Sequence, residues 1–209
     1  MTMPVKPIAI ALIGSIASGK STALKYFKAL GAITLNADRI ADECLATHPS
    51  HRLWLTEAIG PLILNSDQTL NKPYLREALL HDADFKSALE QRIHPDVYQS
   101  IHTLIQQPTS TYYVCEISAF KTLPAQGKFD RICIIKSAEP DQIKRALTRQ
   151  TWTQPQLNQL IQQHSKDLNS IEKIDDTLLN TTTLTSLRKQ VERLHLKYLE
   201  MRLNRSPIA

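Results

Sequence analysis

No apolar run in the chain approaches the length of a membrane span, and the opening M-T-M-P-V-K-P lacks the apolar stretch and cleavage site of a secretory signal. The expectation is a cytoplasmic protein with no membrane partner. Cysteine is scarce: Cys44, Cys115 and Cys133 show no C-x-x-C spacing, which disfavours zinc or redox chemistry. Two of them lie within apolar strand-like runs and read as small buried hydrophobes. No basic block with interleaved aromatics occurs either. The 25 Lys and Arg against 20 Asp and Glu give a formal charge of +5, but the cations are scattered, which suits phosphorylated small molecules and leaves no nucleic-acid footprint. No helical seam is long enough to demand a partner, so a monomer or weak homo-oligomer is expected. The 209 residues suffice for one good core and an inserted subdomain.

What the chain does contain is a phosphate cradle. Gly14 to Thr22 reads G-S-I-A-S-G-K-S-T, directly after the apolar run Ile8 to Ile13 and before an amphipathic helical pattern. A G-x-x-x-x-G-K-[ST] loop between a buried strand and a helix points successive backbone N–H groups at nucleotide phosphates. Gly14, Ser15, Ile16, Ala17, Ser18, Gly19, Lys20, Ser21 and Thr22 are therefore the expected ATP-binding residues. Lys20 would reach the β/γ oxygens, and the Ser21 hydroxyl would hold Mg²⁺. Gly14 and Gly19 are the positions where a side chain would most obstruct the turn, and the following helix adds its dipole and free N–H groups.

Apolar runs recur at Ile8 to Ile13, Ala32 to Leu35, Tyr112 to Ile117 and Arg131 to Ile135, with helical patterns between most of them. That layout predicts an α/β fold, the three-layer P-loop type with a parallel sheet. Ala23, Leu24, Phe27 and Leu30 repeat at helical spacing, and Gly31 is a natural stop before the second strand. The stretch between the second and third strands is too long for a plain crossover. It reads as helices over Arg39 to Ala46, Arg52 to Ile59, Lys72 to Leu80 and Phe85 to Ile105, a helical acceptor-binding insertion at about 39–108 of a single domain. The tail from Leu184 to Leu203, with Leu187, Val191, Leu194, Leu196, Tyr198 and Leu199, predicts a helix packed on the sheet.

A cradle alone does not separate a kinase from a GTPase, a motor or a binding module. No N-K-x-D guanine signature is present and the chain is short for an oligomeric ATPase, which leaves a small-molecule kinase. Such an enzyme needs an acid near the acceptor hydroxyl, cations on the transferring phosphoryl group and a lid that excludes water. Beyond the cradle, L-G-A-I-T-L-N-A-D-R-I-A at Leu30 to Ala41, L-N-K-P-Y-L-R at Leu70 to Arg76 and L-E-Q-R-I-H-P at Leu89 to Pro95 follow in order. Q-I-K-R-A-L-T-R at Gln142 to Arg149, Gln163 and I-D-D-T-L-L-N at Ile174 to Asn180 complete the series. In order and spacing these resemble the dephospho-CoA kinase family, almost end to end. The resemblance implies ATP-dependent phosphorylation of the ribose 3′-hydroxyl of dephospho-CoA, with Mg²⁺ as the metal and a lid at about 142–166.

Carried over residue by residue, the resemblance gives Asp38, Lys20 and Arg145 catalytic roles. Asp38 would orient or deprotonate the acceptor hydroxyl, and it also reads as the N-cap of the helix from Arg39. Arg145 and Arg149, four apart on one helical face, would clamp phosphates. Arg76 and His94 would stand on the acceptor side, although a histidine before proline also suits a structural hydrogen bond. Glu116, ending the third strand, would line the substrate site, hold Mg²⁺ through water, or simply end a strand with a charge. Asn180 would contact adenine or form a turn. The chain departs from the family pattern at Ser15 and Ala17, which replace glycines, at Asn36, which replaces an acid, at Ser118 to Thr122 and at Gln159. Those departures keep two alternatives open: another small-molecule P-loop kinase, or a nucleotide- or CoA-binding paralogue with weakened turnover.

Overall fold

A computed structural model of the chain describes residues 7–109, 111–118, 128–148 and 153–205. Five strands, β1 (Ala9–Ile13), β2 (Ile33–Asn36), β3 (Tyr113–Glu116), β4 (Arg131–Lys136) and β5 (Asp176–Leu179), form one parallel sheet in the order β2-β3-β1-β4-β5. The fold is the expected α/β type. Strand β1 lies at the centre and all five of its residues are buried, as a parallel sheet covered on both faces requires. Strand β5 was not anticipated. It is an edge strand in which only alternate residues are buried, so its sequence D-T-L-L carries no continuous apolar run.

Helix α1 (Lys20–Ala29) and helix α8 (Leu184–Leu203) pack together on the sheet. Ala23 and Phe27 of α1 and Leu187, Val191, Leu194 and Tyr198 of α8 share one core with Ile8, Ile10, Leu12, Tyr112, Val114, Cys133, Ile135 and Leu178. At its centre Phe27 stacks on Tyr198 with ring centroids 6.1 Å apart and meets Tyr112 edge-on at 6.4 Å, geometries that aromatic quadrupoles favour. Leu196 does not join this core: it is 67% exposed, because the buried stripe of α8 passes through Leu194 and Tyr198 instead. Gly31, in the left-handed region at φ 97°, stops α1 as expected.

The bottom of the sheet is tied by one buried acid. Asp176 on β5 accepts from Arg131 Nε at 2.7 Å, Lys197 Nζ at 2.5 Å and the Tyr198 hydroxyl at 3.0 Å, joining β4, β5 and α8. Its neighbour Asp175 accepts from the Ile132 N–H at 2.8 Å. The I-D-D segment is thus a structural clasp. The three cysteines are free and buried, as small hydrophobes, and burial pushes the Cys133 thiol up to about 12.

Residues Ala37–Ile101 form a second compact unit, with the described residues on either side of it making up the first. Within it α2 (Ala37–Thr47), α3 (Pro49–Ile59), a 3-10 turn (Pro61–Ile63), α4 (Lys72–His81) and the start of α5 (Ala83–Ile105) enclose Leu45, Leu55, Ile63, Leu75, Phe85, Leu89 and Ile93. Trp54 stacks on Phe85 at 5.7 Å, and the Arg92 guanidinium covers the Trp54 ring at 5.5 Å. Helix α5 runs through Pro95, which has no N–H to give to the preceding turn. Helix α2 starts two residues earlier than its sequence pattern suggested. Asp38 is therefore not an N-cap but lies inside the first turn, where the helix dipole favours an acid. No helix among the described residues is long and apolar enough to cross a membrane. Helices α6 (Glu139–Leu147) and α7 (Gln154–Asn169) complete the first unit.

Candidate active site

Strand β1 ends at Ile13, and the loop from Gly14 to Gly19 delivers the chain into α1. Because β1 has β3 on one side and β4 on the other, this loop stands at the carboxyl ends of the strands where the connections diverge, the place where open α/β sheets bind ligands. Close approach fixes both glycines. A Cβ on Gly14 would lie 2.7 Å from the Ile135 carbonyl oxygen and 2.7 Å from Ser18 Oγ, and one on Gly19 would strike the Asn180 amide. Gly19 also adopts φ 109°. Of the two residues that replace family glycines, only Ala17 occupies the left-handed region, at φ 54°; Ser15 does not.

The loop is prepared for an anion. Ser15 and Ser18 are buried, and neither Oγ has a hydrogen-bond partner among the described residues, an expensive arrangement unless a polar ligand answers it. Lys20, also buried, donates from Nζ to the carbonyls of Gly14 at 2.8 Å and Ser15 at 3.1 Å, which aims its charge along the inside of the loop. Ser21 Oγ donates to Glu116 Oε1 at 3.0 Å, and Asn36 Nδ2 donates to Glu116 Oε2 at 3.1 Å. The sheet register sets this up, since Glu116 lies opposite Leu12 on one side and Asn36 on the other. A hydroxyl and a buried carboxylate side by side are hard oxygen donors of the kind Mg²⁺ takes. Glu116 therefore belongs with Ser21 and the cradle, and Asn36 in place of an acid serves to orient it.

Three side chains from outside the loop hold it. Asn180, buried just past β5, donates from Nδ2 to the Ser18 carbonyl at 2.9 Å, so its amide buttresses the cradle. Arg145 on α6 donates from Nε to the Ala17 carbonyl at 3.0 Å and from its guanidinium to Ser137 Oγ. His164 on α7 accepts from the Ile16 N–H at 3.1 Å through Nδ1. Sequence reasoning named Gln163 and missed His164. Gln163 is exposed and donates to Asp167 Oδ1 of its own helix at 3.1 Å, whereas the next residue meets the loop. Only the 3.6-residue phase of α7 against the loop separates the two. Gln159 is exposed on α7. Arg149 and residues 119–122 lie outside the described residues.

The model of the dephospho-CoA kinase family matches residues 8–186, from the start of the sheet into α8. This chain belongs to the dephospho-CoA kinase family. It is 32% identical over 192 residues to a dephospho-CoA kinase of Gamma-proteobacterium EBAC31A08, covering 92% of this chain and 98% of that one. With the dephospho-CoA kinase of Coxiella burnetii it shares 31% over 193 residues, 92% of this chain and 97% of that one. The solved dephospho-CoA kinase from Campylobacter jejuni superposes with a TM-score of 0.69 at 19% identity, over 92% of this chain and 98% of that structure, which establishes a common fold.

In this kinase the remaining expected site residues lie in the second unit. Asp38 is exposed on the first turn of α2, two residues beyond Asn36. Arg76 is exposed on α4. His94 is half-buried on α5, and burial pushes its pKa below the ordinary imidazole value against the opposing charge of Glu90. Two residues beyond His94, Asp96 Oδ2 pairs with Nε2 of the buried His51 at 2.7 Å, tying α3 to α5.

Proposed function

We propose that the chain transfers the γ-phosphoryl group of ATP to the ribose 3′-hydroxyl of dephospho-CoA, giving coenzyme A and ADP. The observation that carries this reading is the cradle itself. Two buried, unanswered serine hydroxyls, an inward lysine and a Ser21–Glu116 pair converge at the carboxyl end of β1 in a chain that matches the family over nearly its whole length.

In this reading the backbone N–H groups of Gly14 to Thr22 bind the ATP phosphates, and the Ser15 and Ser18 hydroxyls donate to them. Lys20 exchanges its carbonyl partners for the β/γ oxygens and holds charge that builds there during transfer. Ser21 and Glu116 hold Mg²⁺, which when bound neutralises phosphate charge. Helices α6 and α7 act as the lid, with Arg145 and Arg149 supplying cations to the phosphates as water is excluded. Asp38 orients the acceptor hydroxyl and takes its proton. Arg76 and His94 serve the acceptor side. The enzyme works in the cytoplasm on small molecules, as a monomer or weak homo-oligomer.

The test is product mass and ADP release with ATP, Mg²⁺ and dephospho-CoA for the wild type, Lys20→Ala and Asp38→Ala. Coenzyme A formed by the wild type and lost in both variants is the expected result, with ATP affinity retained in Asp38→Ala. Binding of either substrate without any product would instead identify a binding paralogue. Product from another acceptor alone would identify a different small-molecule kinase.

A further inference from the structure

The three side chains that hold the loop are not equivalent. Asn180 and Arg145 donate to carbonyl oxygens, those of Ser18 and Ala17, which are groups that an anion avoids. His164 alone among them takes a donor. The Ile16 N–H that it occupies, at 3.1 Å from Nδ1, is one of the cradle's own phosphate-facing groups under the reading above. We propose that the His164 imidazole holds the place of a phosphate oxygen on the Ile16 N–H, so that nucleotide binding and release of α7 from the loop are one linked event.

The chemistry of the ring supports this. Nδ1 can accept only in the neutral tautomer whose proton is on Nε2, so the ring presents a lone pair to the amide as a phosphate oxygen would. One N–H makes one good hydrogen bond. A charged oxygen forms a bond roughly twice as strong as a neutral acceptor does, so the anion displaces the ring and not the reverse. His164 sits in the middle of α7, and its displacement breaks this bond between the helix and the loop while Arg145 keeps α6 attached through Ala17. In the nucleotide-free enzyme the place-holder keeps the amide satisfied, and its removal from the path is part of what ATP has to do.

This inference rests on the cradle reading, and the two fail differently. Isothermal titration of ADP and of a non-hydrolysable ATP analogue into the wild type, His164→Ala and His164→Gln tests it. Truncation removes the competitor, so His164→Ala should bind about three- to tenfold tighter, the span of one ordinary hydrogen bond. In His164→Gln the carboxamide oxygen can still accept the N–H and should bring affinity back toward the wild-type value. The ¹H–¹⁵N resonance of Ile16 should differ between wild type and His164→Ala when free and coincide when both are saturated with nucleotide. Weaker or unchanged binding in His164→Ala, or Ile16 signals that stay apart at saturation, would make His164 a shape-holding residue and overturn the proposal. No nucleotide binding by the wild type would instead remove the cradle reading itself.

Discussion

Ala17 sits where an L-residue is uncomfortable, and replacing it with glycine gives a prediction whose sign is decisive. At φ 54° the Cβ of Ala17 crowds its own carbonyl, a conformation that costs about 1–2 kcal/mol for a non-glycine residue. Ala17→Gly removes that strain but gives the unfolded chain more freedom, which costs about 0.5–1 kcal/mol. The difference is a net stabilisation of about 0.5–1 kcal/mol. The Arg145 bond is to the Ala17 carbonyl, so this hydrogen bond survives removal of the methyl. With a urea slope near 2 kcal/mol per M, the unfolding midpoint should rise by about 0.3–0.5 M at unchanged slope, measured by circular dichroism. An unstrained alanine would behave oppositely: glycine would lower the midpoint by a similar amount, as it does at ordinary positions. That fall would refute the strain argument outright.

The clasp at Asp176 predicts a loss of about 3–5 kcal/mol in Asp176→Ala, because the charges of Arg131 and Lys197 lose their shared buried acceptor; chemical denaturation at pH 7 measures it. Burial pushes the Asp176 carboxyl up, but the bonds from Arg131, Lys197 and Tyr198 outweigh it and hold the pKa below the usual carboxylate value. A depressed folded pKa gives stability that is fully present above the unfolded value of about 3.9 and lost as pH falls through the folded one. The midpoint gap between wild type and Asp176→Asn should therefore be wide at pH 7 and shrink below about pH 4. Glu116→Gln should raise the Mg²⁺ needed for half-maximal rate by about 10- to 100-fold, read from a metal titration of ADP release. Asp96→Ala strips the buried His51 ring of its Nε2 partner while Nδ1 has none among the described residues, and should cost about 1–3 kcal/mol of stability, read from urea unfolding.

How much of this was legible depended on whether a residue acts through local sequence or through tertiary phase. The cradle was readable because its requirements are local: a buried strand, two glycines in a tight turn, a lysine and a hydroxyl opening a helix. The central strands β1, β3 and β4 were readable as continuous apolar runs, and the edge strand β2 from the run Ala32 to Leu35, whereas β5 at the other edge buries only every other residue and offers no such run. The start of α2 was misplaced because Ala37 and Asp38 follow β2 with no intervening turn residue. Glu116 was seen as an acid ending a strand, but its partners Ser21 and Asn36 come from other elements and depend on sheet register. His164 carried no motif at all. Its distance of 148 residues from Ile16 is closed only by the packing of α7, which no local pattern encodes.

The departures from a glycine-rich loop have a physical answer in these same long-range bonds. A strained backbone persists only when its surroundings over-determine it. Here Ile16, Ala17 and Ser18, three consecutive residues about the strained position, are each held by a side chain from a different element: α7, α6 and the end of β5. Three bonds of about 1 kcal/mol each exceed the strain of one alanine in the left-handed region. A loop of glycines reaches the anion-binding shape because nothing resists it, whereas this loop reaches it because side chains impose it. The consequence is a coupling that a glycine-rich loop would lack. Whatever moves α6 or α7 also relaxes the restraint on the loop about Ala17, so the placement of these two helices and the shape of the cradle cannot vary independently. Ala17→Gly should weaken that dependence as well as stabilise the fold. In the glycine variant, Asn180→Ala should then cost less nucleotide affinity than it does in the wild-type background. Equal losses in the two backgrounds would show that strain and tether are uncoupled.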